Sequence, residues 1–381
     1  MQAEVVFNRL LTPEADKAIY HLRLSLPAPL SYQPGDWLMA TPHNPPQLVQ
    51  ACLNALCLSE QTLITLPKHD EMPLSQALHA HLELTQLQPA VLNKLQRRFG
   101  WSIWPDRQAM MAFAEGRDLL DLIEFLKTEY PELAQPDKAL AFCQLLAPLS
   151  PRFYSIASAP EALGDTQVDL LYRQVVYERA RRVRYGAASN VLSGSQPGDK
   201  QVVEHNPNPH FKLPEDQPDS EAGEHTPIMM IGAGTGLAPY FGFLQRRFAE
   251  HASDQSNQNH QAWLFFGEAH AGKTDLLRAV LPEPILTAWQ QQGLQITTAF
   301  SRDQAEKIYV QQRLWQARSE VMDWLDRGAH LYLCGDQAQM ATQVAQCLIE
   351  ILQQEGGQTP DQAQATWKHW RQIKRVQYDV Y

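Results

Sequence analysis

The chain has 381 residues, 44% hydrophobic and 19% charged, with a formal net charge of −10. That length predicts about two or three domains with ample core. The acidic balance argues against nucleic acid and anionic membrane as partners, and permits an electron-transfer partner without predicting one. Five cysteines without a C-x-x-C pair argue against a disulfide framework and a zinc site. Met1-Gln2-Ala3-Glu4 lacks the basic and apolar regions of a signal peptide, and no apolar run approaches membrane-spanning length. The expected location is the cytoplasm.

Residues 4–40 read as antiparallel β-structure. Val5-Val6-Phe7 opens it, Tyr20 to Leu26 alternates, and Pro34-Gly35-Asp36 turns the chain into Trp37-Leu38-Met39-Ala40. A barrel or sandwich follows from such a pattern. From Pro46 to about Leu146 the period becomes helical, as at Leu119, Leu122, Ile123 and Leu126, and predicts a mostly helical insertion. Trp101 and Trp104 within it are assigned to its core.

β-character returns at Arg152-Phe153-Tyr154-Ser155, which packs a cation, two rings and a hydroxyl into four residues. On a strand, Arg152 and Tyr154 share one face and Ser155 takes the other. Such a surface suits a flat anionic cofactor, with guanidinium on phosphate and phenol on a heterocycle. Taken alone, the stretch reads as an ordinary half-exposed strand. Val168 to Tyr177 reads as one long strand. Gly186-Ala187-Ala188-Ser189 then forms a tight turn into a helix: an anion site by geometry, or a plain helix cap at Ser189.

Residues 206–226 are rich in Pro, Asp, Glu and Asn and read as a linker; His251 to His260 is a second polar loop. His205 and His210 are expected at the surface. Beyond the linker the pattern is β/α. Pro227 to Ile231 is a buried-type strand, Gly232-Ala233-Gly234-Thr235-Gly236 a glycine turn, and Tyr240 to Phe248 a helix. Strand, glycine turn and helix make a dinucleotide-type phosphate loop. Further strands are expected at Ala262–Phe266, Ile296–Phe300 and His330–Cys334, each ending in small or polar residues that line one crevice. Ser301, Arg302, Lys307 and Tyr309 offer two cations, a hydroxyl and a phenol, a set suited to the 2′-phosphate that separates NADPH from NADH. The alternative is a solvated loop.

Taken together, these stretches resemble the C-terminal module of the diflavin reductases over nearly the whole chain, with the likeness running toward the sulfite reductase flavoproteins. The residues carrying it are Arg152-Phe153-Tyr154-Ser155, Gly186 to Ser189, Gly232 to Pro239, Ala299 to Gln304, Lys307 to Gln311, Cys334-Gly335-Asp336 and Asp379-Val380-Tyr381. The resemblance implies an antiparallel β-barrel that binds FAD, over 1–45 and 147–205. It places a helical connecting insertion over 46–146 and, past the 206–226 linker, an α/β parallel-sheet NADPH-binding domain over 227–381. This is a ferredoxin-NADP reductase-like arrangement.

It further implies FAD contacts from Thr85, Arg152, Phe153, Tyr154, Ser155, Leu171, Tyr172, Arg173, Tyr177, Gly186, Ala187, Ala188 and Ser189, with Tyr381 stacked on the flavin. NADPH would meet Gly234, Thr235, Gly236, Ser301, Arg302, Lys307, Tyr309, Gln311, Cys334 and Asp336, and Ser155, Cys334 and Asp379 would line the hydride path. The implied activity is hydride transfer from NADPH to FAD N5, then single-electron transfer to a separate acceptor. That acceptor would be a flavodoxin or FMN protein, or a haem or iron–sulfur reductase of the sulfite reductase type. A flavin-bound subunit without turnover of its own is the alternative. Ala233 replaces the common loop proline, Gln343 a frequent acid and Val376 an aromatic, and no flavodoxin-like FMN module is expected within the chain.

Overall fold

The computed structural model describes residues 1–214, 226–249 and 261–380. Residues 215–225 of the expected linker, the polar loop His251 to His260, and Tyr381 lie outside the described residues. The chain divides into two compact units, one of Met1–Met39, Phe153–Arg173 and Gln196–Tyr381, the other of Ala40–Arg152 and Gln174–Ser195.

Strands in chain order are β1 (Gln2–Leu10), β2 (Ile19–Ser25), β3 (Trp37–Ala40), β4 (Leu63–Ile64), β5 (Met72–Pro73), β6 (Arg152–Ser155), β7 (Gln167–Arg173), β8 (Val176–Arg179), β9 (Arg182–Tyr185), β10 (Lys200–Asn206), β11 (Ile228–Ala233), β12 (Ala262–Glu268), β13 (Leu294–Phe300), β14 (His330–Gly335) and β15 (Val376–Val380).

The first unit carries a six-stranded sheet in the order β6-β3-β10-β1-β2-β7. β1 runs antiparallel to β10 and β2, and β2 to β7. Just past β6, Ile156 bridges Leu170 of β7, so the two edges meet and the sheet closes into the expected barrel. His205, expected at the surface, instead lies with Nε2 2.9 Å from Asp36 Oδ2, while Lys212 Nζ stands 2.5 Å from Oδ1. Asp36 is buried, and a buried carboxylate draws in such partners because an unpaired charge there is costly.

The α/β part of the same unit is a five-stranded parallel sheet in the order β13-β12-β11-β14-β15. β15 was not among the expected strands; it is only five residues long and adds an edge beside β14. Both faces are covered, so strand residues alternate between two cores. Met229 and Ile231 face a core with Leu331, Leu333 and Leu348. Ile228 and Met230 face another that includes Ile19, Ala157 and Leu171 of the barrel. Barrel and parallel sheet thus share apolar packing.

The second unit is mostly helical across the expected insertion, with helices Pro46–Leu56, Leu74–Ala80, Pro89–Phe99, Arg107–Ala114, Leu119–Glu129 and Pro136–Cys143. Prolines open three of them and Asp106 and Asp118 cap two more. Their apolar stripes meet in one core that takes in Trp101 and Trp104.

The long strand expected over Val168 to Tyr177 is not continuous. β7 stops at Arg173, and β8 and β9 form a separate hairpin turned at Ala180 and Arg181, with φ of 51° and 60°. The break falls where Val175 N–H donates to Ser189 Oγ at 3.0 Å and Val175 O accepts from Gly186 N at 2.9 Å. Strand propensity marks these residues but does not say which partner they take. The hairpin is fastened to the capping box of helix Leu119–Glu129. Arg182 Nη2 lies 2.6 Å from Asp118 Oδ1, and Arg184 Nη2 lies 2.6 Å from Asp121 Oδ1. Burial pushes the Asp121 carboxyl up, but the bonds from Arg184, Asp118 N–H and Arg182 outweigh it and hold it at about 2.

No helix among the described residues is long and apolar enough to cross a membrane. Cys52, Cys143, Cys334 and Cys347 are buried free thiols and Cys57 an exposed one.

Candidate functional site

In a parallel sheet the strand order reverses beside the first strand, and ligands bind at the carboxyl ends there. Here that place lies between β11 and β14. The register sets Gly232 against Cys334, and Cys334 against Asp379 on β15. Ser155 comes from the end of β6, in the barrel. Its Oγ donates to Asp379 Oδ2 at 2.6 Å, and Cys334 Sγ lies 4.0 Å from the same oxygen. The three residues expected along a hydride path are therefore one cluster.

Sequence reasoning missed its fourth member. Trp37 Nε1 donates to Asp379 Oδ1 at 3.1 Å. Burial pushes the Asp379 carboxyl above its ordinary range, opposed by the Ser155 and Trp37 bonds and by Lys212. Burial also pushes the Cys334 thiol well up, with the Asp379 charge adding to it. The thiol stays protonated at neutral pH, which removes it as a nucleophile. The cluster offers a fixed carboxylate, a hydroxyl and a neutral thiol: groups that orient and stabilise charge.

The glycine loop lies directly against this cluster. A Cβ on Gly236 would sit 2.2 Å from Cys334 O, and one on Gly232 would sit 2.9 Å from the Tyr240 ring. Close packing on β14 thus demands these glycines, in addition to any approach by a ligand. Gly234 has φ of +57°, and Gly234–Leu237 make one tight turn before helix Ala238–Ala249.

At the ends of β12 and β13, Ser301 N donates to Glu268 O at 2.9 Å and Arg302 N to Ala269 O at 2.9 Å. Arg302 Nη1 pairs with Asp16 Oδ2 at 2.8 Å, in the loop between β1 and β2. Tyr309 and Lys307 are exposed, Tyr309 at the start of helix Val310–Gln316. Gln311 Nε2 donates to Gln343 Oε1 at 2.7 Å, and Asp336 Oδ1 accepts from Gln339 N at 2.6 Å. Glu268 had no sequence signal. Burial pushes its carboxyl up to about 7, and Oε1 has no hydrogen-bond partner among the described residues.

Of the other residues implied as FAD contacts in this unit, Tyr154 is half-buried with its ring edge-on to Tyr172 at 5.9 Å. Leu171 and Tyr172 are buried; Phe153 and Arg173 are exposed.

In the second unit, Arg152 Nη2 donates to Glu83 Oε2 at 2.5 Å and Nη1 to Ser150 O at 2.6 Å. Glu83 Oε1 accepts from Thr85 N and Thr85 Oγ1 at 2.9 and 2.7 Å. The Thr85 hydroxyl thus donates to Glu83, which in turn holds the guanidinium. Ser189 is not a helix cap: Gly186 is, without a side-chain bond, and Ser189 lies inside helix Ala187–Gly194. Asn190 N is the first amide to bond back into the turn, to Gly186 O at 3.0 Å, so the amides of Ala187, Ala188 and Ser189 precede the helical ladder. Tyr177 is exposed on β8. Tyr381 lies outside the described residues.

A closed antiparallel barrel, a glycine-loop parallel sheet and a Ser–Asp–Cys cluster at its carboxyl edge define a module of the ferredoxin-NADP reductase-like class. The oxidoreductase NAD-binding domain family matches residues 230–346. The chain is 35% identical over 395 residues to the sulfite reductase [NADPH] flavoprotein alpha-component of Bacillus subtilis, covering all of this chain and 61% of that protein. The Shewanella oneidensis counterpart is 35% identical over 391 residues, with 100% and 60% covered, and that of Yersinia pestis 35% over 379, with 96% and 57%. The chain therefore spans about 60% of the length of the curated relatives it matches. It is similar along its length to this part of the sulfite reductase flavoproteins.

Proposed function

We propose that the chain is an NADPH-dependent flavoprotein reductase that binds FAD and passes electrons to a separate acceptor protein. The observation that carries this is the Ser155–Asp379–Cys334 cluster, assembled where a parallel sheet of this order receives a dinucleotide. The chemistry supplied by the flavin, when bound, is acceptance of a hydride at N5 and release of electrons one at a time.

The residues fit such a group. Ala187, Ala188 and Ser189 offer three helix-start amides to a diphosphate. Arg152 is held in place by Glu83, with 28% of its side chain exposed for charge-assisted bonds. Tyr154 presents a phenol and Ser155 a hydroxyl already oriented by Asp379. Phe153, Leu171, Tyr172, Arg173, Tyr177 and Thr85 complete that set in our reading, with Tyr381 as a cover for the ring. NADPH is assigned to Gly234, Thr235, Gly236, Ser301, Arg302, Lys307, Tyr309, Gln311, Cys334 and Asp336. Segments 1–45 with 147–205, 46–146 and 227–381 serve as flavin-binding part, connecting insertion and nucleotide-binding part.

Asp379 keeps negative charge beside the reacting edge, Ser155 fixes which oxygen faces it, and the glycine loop keeps side chains out of the way. The acceptor in this reading is a flavodoxin or FMN protein, or a haem or iron–sulfur reductase of the sulfite reductase type, in the cytoplasm. The test is anaerobic addition of NADPH to the purified protein. Bleaching of about one FAD per chain is expected, one site being encoded. A flavin that stays oxidised would leave a binding subunit without turnover.

A further inference from the structure

We propose that Trp37 is a positioning residue for hydride transfer, its indole N–H fixing the Asp379 carboxylate so that the other oxygen is presented to Ser155. This rests on the reading above. Asp379 stands on the five-residue edge strand β15. Its two oxygens have different partners. Oδ1 accepts from Trp37 Nε1 at 3.1 Å, and Oδ2 accepts from Ser155 Oγ at 2.6 Å with Cys334 Sγ 4.0 Å away. Two donors, one per oxygen and from different strands, β3 and β6, stop the carboxylate from rotating.

The indole is itself anchored. Phe153, exposed on its other side, meets the Trp37 ring edge-on at 5.7 Å and 78°. A phenylalanine at position 37 would keep much of this packing, so the N–H is the part that packing alone leaves unexplained.

The electrostatics agree. The groups facing Asp379 are Ser155 from β6, Trp37 from β3, Cys334 from β14, Tyr240 from helix Ala238–Ala249, and Lys212. Burial pushes the Cys334 thiol and the Tyr240 phenol well up, so both are neutral, and Lys212 is the one cation in the set. Burial favours the protonated carboxyl; Ser155, Trp37 and Lys212 favour the charged one. Removing the indole donor tips this balance toward the proton. The carboxylate is then lost at a higher pH than in the native protein.

The experiment is Trp37→Phe in the flavin-loaded protein, with two readouts. The first is the rate of flavin reduction by NADPH across pH. It is expected to fall about tenfold on the acid side, as for a lost bond to a charged group. Its acid limb should move to higher pH, with NADP⁺ affinity unchanged. The second is the Trp37 indole N–H resonance, assigned as the signal missing in Trp37→Phe. It should titrate with Asp379 and lose that titration in Asp379→Asn. Superimposable pH profiles, or a loss equal at every pH, overturn the proposal, and so does an indole signal that ignores Asp379→Asn. If the native protein is not reduced by NADPH, the proposed function falls, while the indole titration still decides the hydrogen bond.

Discussion

The Asp379 cluster and the Arg302 loop lie at the same end of one parallel sheet, yet they are built on opposite principles. Asp379 and Cys334 are buried, and their partners come from β3, β6, β14 and β15. Every polar atom of that carboxylate has a donor before any ligand arrives. Arg302 is half-exposed, on an irregular loop, paired with an Asp16 whose side chain is 82% exposed. The first arrangement is preorganised and shielded from salt; the second is open and screened within a Debye length of about 8–10 Å. In the proposed function the contrast would separate two tasks. Groups beside reacting atoms must not move, whereas groups that capture a mobile phosphate must be reachable from solvent.

The largest effect should come from breaking the buried side. Replacing Ser155 by Ala and Asp379 by Asn together removes a 2.6 Å charge-assisted bond and the charge itself. Flavin reduction by NADPH is expected to slow by about a hundredfold or more, from a loss on the order of 3 kcal/mol in the transition state. NADP⁺ binding should stay intact, because neither group contributes to holding the nucleotide. Stopped-flow reduction with a parallel binding titration measures both, and an unchanged rate would remove the pair from the mechanism.

On the open side, Arg302→Ala should cost NADPH about 2–3 kcal/mol of binding and leave NADH nearly unaffected, as for a charge-assisted bond to a 2′-phosphate. The NADPH loss should shrink as salt is raised, whereas the defect of the Ser155/Asp379 variant should not. Equal losses for the two nucleotides would show that Arg302 does not read the phosphate.

The same contrast explains what could be read from the residues alone. Arg152 to Ser155, Gly232 to Gly236 and Ser301-Arg302 are local strings, the first a strand in itself and the other two at the ends of strands whose apolar runs announce them, so their chemistry was visible. The partners were not. Trp37 lies 342 positions from Asp379, and Glu83 lies 69 from Arg152. Nothing in Trp37-Leu38-Met39-Ala40 distinguishes a core indole from one aimed at a carboxylate. The stretch Val168 to Tyr177 is strand-like throughout, and the break at Gln174-Val175 depends on Gly186 and Ser189. β15 was hidden because five residues shortly after a long polar helix carry too little pattern. Glu268 carried no sequence signal because its carboxyl near 7 is a consequence of burial, which composition does not record.

The smallest expected effect is also the one that tests the open side most directly. Asp16 is delivered by the β1–β2 loop of the barrel, and its Oδ2 lies 2.8 Å from Arg302 Nη1. Arg9 of β1 reinforces that approach, its Nη2 donating to Ala279 O at 2.7 Å. If Arg302 takes the 2′-phosphate as proposed, a carboxylate on the guanidinium stands where that phosphate would bind, so NADPH would have to displace it and NADH would not. An exposed ion pair of this kind contributes about 0.2–1 kcal/mol, so Asp16→Asn should tighten NADP⁺ by a factor of roughly 1.4 to 5 at low salt. NAD⁺ should bind as before, and the gain should vanish in high salt and in an Arg302→Ala background. Titrating 2′,5′-ADP and 5′-AMP against the two single variants and the double isolates the term, because only the first ligand carries the second phosphate. Tightening of both ligands alike would mean that Asp16 acts through the general acidity of the chain and not through Arg302. No change for either would mean that the pair exchanges freely with water and does not oppose the phosphate.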